Sequence, residues 1–101
     1  MKFVCTEELR EYMKQKKLTT MVIEVIDITN SDLDLTSIRI YPVNDKRADF
    51  LVSEKSFREK KAETGERVLV PKYVLEYEDV VTFEHQKKWI FHSFSAIGVT
   101  L

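Results

Sequence analysis

Residues Thr20–Ile28 read TMVIEVIDI, and six of these nine side chains are apolar, most of them β-branched. That composition suits a pleated strand. Alternation sorts the stretch into two faces. Met21, Ile23 and Val25 share one face, which stays apolar until Asp27. Val22, Ile26 and Ile28 share the other, interrupted by Glu24. Such a strand is expected to be buried on one side and partly covered on the other.

Upstream, Phe3, Val4 and Cys5 suggest a short extended entry. Thr6 is suited to cap a helix, because its hydroxyl can accept from a free amide of the first turn. Glu7 and Glu8 then stand in the first turn and Lys14, Lys16 and Lys17 near the last. Both placements oppose the helix dipole. Leu9, Tyr12 and Met13 form one apolar stripe, so the spacing predicts a helix over Thr6–Lys16.

Downstream, Thr29–Thr36 (TNSDLDLT) reads as a loop, since its short polar side chains compete with regular structure. Ser37–Val43 (SIRIYPV) alternates as a half-buried strand that Pro42 should end or confine to an edge. Asn44–Arg47 reads as a turn, Ala48–Ser53 as another strand, and Glu54–Thr64 as a mobile loop or short helical excursion. Gly65 precedes a short strand, Arg67–Val70. Pro71 opens PKYVLEYED, where Tyr73, Val74 and Tyr77 suggest a single helical turn. Val80–His85 and Lys88–Phe94 alternate again, with a turn at Gln86–Lys88, and Ile97–Leu101 suggests a last edge strand. One helix with six or seven short strands predicts a strand-rich α+β domain: an N-terminal helix, then a twisted, mostly antiparallel sheet or small sandwich.

The chain has 101 residues, the size of one domain, so 1–101 is read as a single unit. A 44% hydrophobic content argues against disorder. Sixteen basic against seventeen acidic residues leave no surplus to neutralise phosphates, which argues against nucleic-acid and membrane-surface partners. The short apolar start predicts no signal peptide. A single cysteine, Cys5, cannot form an internal disulfide, and a cytoplasmic location is expected.

Few residues offer chemistry. Cys5 precedes a predicted helix, where a thiolate could be stabilised, but Glu7 and Glu8 follow at once and favour the thiol. A small buried hydrophobe is the simpler role. His85 and His92 are the only histidines; their odd separation would put them on opposite faces of one continuous strand, a register that the turn expected at Gln86–Lys88 would break. One Cys and two scattered His fall short of the three or four ligands of a zinc site. No serine lies in a nucleophile elbow, and two glycines cannot build a phosphate loop. Asp27, Asn30, Asp32 and Asp34 miss the calcium-loop spacing and read as a solvated turn. The basic residues Lys14, Lys16, Lys17, Arg58, Lys60 and Lys61 are interleaved with acids and read as solvated faces. Tyr73, Tyr77, Phe83, Trp89, Phe91 and Phe94 are expected mostly in the core; the two apolar faces of Lys88–Phe94 imply a central strand or an association surface. No catalytic, cofactor or metal residue is assigned.

Several segments resemble the HesB-like family, related to the A-type iron–sulfur carriers, and most closely its short HesB-related (seleno)protein branch. FVCTEELREYMKQKKL resembles the family's short strand and first helix, MVIEVIDI and SIRIYPV its first long strands, GERVLVPKYVLEYED its glycine, strand and helical-turn segment, and VVTFEHQKKWIFHSFSAIGV its terminal hairpin. The resemblance implies a cysteine after the first long strand, where Thr29, Asn30, Ser31 and Asp32 stand, and a Cys-rich tail, which is absent. Hydroxyls and amides do not replace thiolates for iron–sulfur clusters. The resemblance therefore implies the fold without its ligands, and no cofactor. Three functional expectations follow: a non-enzymatic HesB-like domain accessory to iron–sulfur assembly; an interaction module using a sheet edge or the late aromatic face, with a protein partner or as a homo-oligomer; and an enzyme whose site, from Cys5 and the histidines, is completed across a dimer.

Overall fold

The computed structural model describes residues 1–29 and 34–101. Thr6 caps the first helix as its hydroxyl predicts, accepting from the Leu9 amide at 3.4 Å, and Lys17 closes it in the left-handed region. This helix, α1 (Glu7–Lys16), follows a four-residue strand, β1 (Lys2–Cys5). The TMVIEVIDI stretch lies in β2 (Thr20–Thr29), paired antiparallel with β3 (Asp34–Val43). Pro42 lies in β3, an edge strand of its sheet, where a proline within a ladder is tolerated. The polar stretch expected to be a loop is strand at both ends; its centre, 30–33, lies outside the described residues.

The next segment departs from the sequence reading. The expected turn at Asn44–Arg47 and strand at Ala48–Ser53 together form one helix, α2 (Asp45–Lys55). Asn44 caps it by accepting from the Arg47 amide at 2.9 Å. Ala48 and Leu51 bury one face against the sheet, and Arg47 lies over the Phe50 ring on the outside. Beyond it, part of the expected loop is strand: β4 (Arg58–Lys61), antiparallel to β5 (Arg67–Val70). The residues after Pro71 form no helical turn; they bend into β6 (Glu76–Lys88). β6 runs through the expected turn at Gln86–Lys88, and the chain reverses at Trp89–Ile90 into β7 (Phe91–Thr100).

Among the described residues seven strands form two sheets, ordered β1-β6-β7 and β3-β2-β5-β4, in the expected strand-rich α+β class. Three of the five pairings are antiparallel; β1 with β6 and β2 with β5 are parallel. The main core gathers Phe3, Leu9, Met13, Met21, Ile23, Val68, Val81 and Phe83. A second cluster, Val22, Val43, Ala48, Leu51 and Leu69, joins α2 to the opposite face of the four-stranded sheet. The two faces of β2 thus separate as its alternation predicts. Glu24, which interrupts the second face, accepts from the Tyr41 hydroxyl at 2.8 Å. Arg67 ties this side together, donating to Asp45 and Asp49 of α2 and Glu59 of β4. No helix of the described residues is long and apolar enough to cross a membrane.

Candidate functional site

Cys5 is excluded from surface chemistry by its position. Its side chain is buried in the main core, and its amide donates to Thr64 Oγ1 at 3.1 Å. Burial first, then the nearby Glu66 carboxylate, pushes its pKa up to about 12. A thiol raised this far stays protonated at neutral pH. Within the described chain the Cys5 side chain packs as a small buried apolar group.

The histidines behave otherwise. β1 pairs with β6 only along Val80–Phe83, so Glu84–Lys88 extends past the edge of that ladder. There β6 continues with β7 as a two-stranded arm, pairing His85 with Phe94 and Lys87 with His92. The reversal lies at Trp89–Ile90 rather than at the expected Gln86–Lys88, and it puts both histidines on the same face. His85 Nε2 and His92 Nδ1 are 2.7 Å apart, and the rings stack with centroids 5.0 Å apart. The first helix supplies the cover: Tyr12 lies 4.4 Å from the His85 ring and 5.0 Å from that of His92. Phe94 closes the cluster at 5.2 Å from His85. Desolvation, and then the neighbouring His92, hold the His85 pKa below its ordinary value, against the opposing pull of Glu8. An open cavity of about 450 Å³ lies alongside, bounded by Glu8, Glu11, Tyr12, Gln15 and the two histidines. No three metal-ligating side chains converge among the described residues.

The arm's most unusual part is its tip. Trp89, Ile90 and Phe91 are 88%, 82% and 73% exposed. The strand-like alternation of KWIFHSF leaves Trp89 and Phe91 to a central strand or an association surface, and the structure puts both in solvent. Of the late aromatics Phe83 is buried, while Tyr73 is also exposed. Trp89 has φ 62°, in the left-handed region where glycine is the ordinary residue of a two-residue hairpin turn. A bulky side chain there is a steric outlier. Lys87 and Lys88 precede it. The tip therefore combines backbone strain, three solvated apolar side chains and adjacent positive charge. A turn lacking Gly, Asn or Asp left no local signal from which to find it.

Thr29, at the start of the segment where the HesB-like resemblance implies ligands, closes β2 opposite Asp34; Asn30, Ser31 and Asp32 lie outside the described residues. Asp27, of the same acidic patch, accepts from the Thr36 hydroxyl at 2.7 Å. No protein-family model, curated protein or solved structure matches the chain.

Proposed function

We propose that the chain is a non-enzymatic interaction module that grips a protein partner with the tip of its β6–β7 arm. The observation that carries this reading is the exposure of Trp89, Ile90 and Phe91 together at a strained turn. Burial of each such side chain is favourable by roughly 1.5–3 kcal/mol, so their solvation leaves binding energy unspent in the free domain. Aromatic anchors of this kind dominate the energetics of protein interfaces. Lys87 and Lys88 favour an apolar pocket rimmed by acids. The HesB-like resemblance makes iron–sulfur assembly proteins the first partners to test, with this chain as an accessory that holds no cluster itself.

The test is photo-crosslinking in the producing cell with a benzophenone amino acid in place of Trp89, against the same group in place of Lys60 on charged β4. Adducts of discrete mass formed from position 89 alone support the reading. Equal labelling from both positions, or none from position 89, sinks it. Trp89 is the only tryptophan, so its emission reports binding directly: a blue shift accompanies burial of the indole in a purified partner.

A further inference from the structure

Each sheet edge offers unpaired backbone donors and acceptors, and soluble proteins blunt such edges with charge, proline, short length or cover. Three of the four edges here are blunted. β1 has four residues and is covered by the following loop: the Glu63 amide donates to the Phe3 carbonyl at 2.7 Å, and Thr64 accepts from the Cys5 amide. β4 is four exposed charged residues, REKK. β3 carries Arg39 and Pro42. β7 has ten residues, FHSFSAIGVT, without charge or proline; among the described residues it hydrogen-bonds in a ladder only with β6, although β3 of the other sheet packs beside part of it. All sixteen basic and seventeen acidic residues of the chain precede Trp89. The β6–β7 register is unbroken from Thr82/Ile97 to Lys88/Phe91, so no bulge twists this part of the edge away; the irregularity lies between Tyr77 and Thr82.

The outward face of β7 is self-complementary. Phe91, Ser93, Ser95 and Ile97 are its exposed positions, and Phe91 and Ile97 are 73% and 54% exposed. We infer that β7 pairs antiparallel with β7 of a second copy, about a two-fold axis near Phe94. That axis sets Phe91 opposite Ile97 of the other copy, and Ser93 opposite Ser95. Each exposed apolar side chain then gains an apolar neighbour, each serine a hydroxyl partner, and no like charges meet. The interface is isologous, as a two-fold requires. The result is a continuous six-stranded sheet with its two hairpin tips facing opposite ways. This pairing goes beyond the tip reading and stands without it.

Sedimentation equilibrium on the full chain tests it, with far-UV circular dichroism as the folding control. The wild type is expected at twice the 11.9 kDa of one chain. Ser93→Lys on the exposed face weakens the dimer by at least about tenfold, corresponding to 1.4 kcal/mol. Adding Ser95→Glu to it restores association, because the axis sets position 93 against position 95. An equimolar mixture of Ser93→Cys and Ser95→Cys chains cross-links on oxidation more than either alone, which reads the same register without a charge at the edge. Trp89→Gly leaves the dimer intact, so failure of the tip reading is scored separately. A wild type that stays monomeric at its highest soluble concentration overturns the pairing. So does a dimer indifferent to Ser93→Lys, whichever other surface holds it.

Discussion

The two ends of the β6–β7 hairpin share a ladder but live in different solvents. At the base, Val81 and Phe83 are fully buried, with β1 on their flank and Phe3 stacked on Phe83 at 5.9 Å. At the tip, Trp89, Ile90 and Phe91 are the most exposed apolar residues of either strand. Similar side chains therefore serve opposite ends. At the base they hold the sheets together; at the tip they add nothing to the core and stand in solvent. Between them lies the histidine pair, half sheltered by Tyr12, where the environment passes from dry to wet.

The contrast breaks most sharply at Phe83. Phe83→Ala removes a ring from the main core and is expected to cost about 3–5 kcal/mol, read as a lower denaturation midpoint in urea. If it costs no more than a change at the tip, base and tip are not the two environments described. Gly98 comes next. It sits at φ 101° opposite the bulged part of β6, and a Cβ there would lie 2.9 Å from the Val80 carbonyl oxygen. Gly98→Ala should cost roughly 1–3 kcal/mol, since both the backbone conformation and the close approach resist it. A neutral result would mean that the bulge relaxes freely.

A smaller effect comes from acid. The folded-state pKa of His85 lies below its ordinary 6.5, so the unfolded chain takes up this proton first as pH falls. The stability tied to a neutral His85 is complete above pH 6.5 and is lost as pH drops through the depressed folded value. Glu8 opposes the shift, whereas His92 and Lys87 reinforce it. Thermal melts of the wild type should fall below this pH more steeply than those of His85→Gln; parallel curves would remove the histidine pair from the account. The smallest change in stability is expected at the tip, and its sign is reversed. Trp89→Gly relieves the left-handed strain of a bulky residue, so the domain should be as stable as the wild type or up to about 1 kcal/mol more so, while binding to a purified partner weakens. Clear destabilisation would show that Trp89 supports the fold after all.

The first helix was legible because its code is local: a cap at Thr6, acids then bases, and one apolar stripe. The second was equally local in principle, with Asn44 as cap and Ala48, Leu51 and Val52 at helical spacing. The consecutive Phe50, Leu51 and Val52 mimicked a strand and hid that period. The histidine pair was hidden for a different reason. Cross-strand neighbours depend on where the chain reverses, and shifting the turn by even one residue changes which side chains share a face. With the reversal set at Gln86–Lys88, His85 and His92 were scattered; at Trp89–Ile90 they stack.

By itself the amino-acid order determined the α+β class, the two faces of β2 and the poverty of thiols and imidazoles, because each follows from side-chain period or composition. Only the tertiary structure decided that Cys5 is sealed in the core, that two histidines meet under Tyr12, and that the late aromatics divide between core and tip. Those outcomes depend on the sheet register and on what packs over each strand, which bring together residues far apart in the chain.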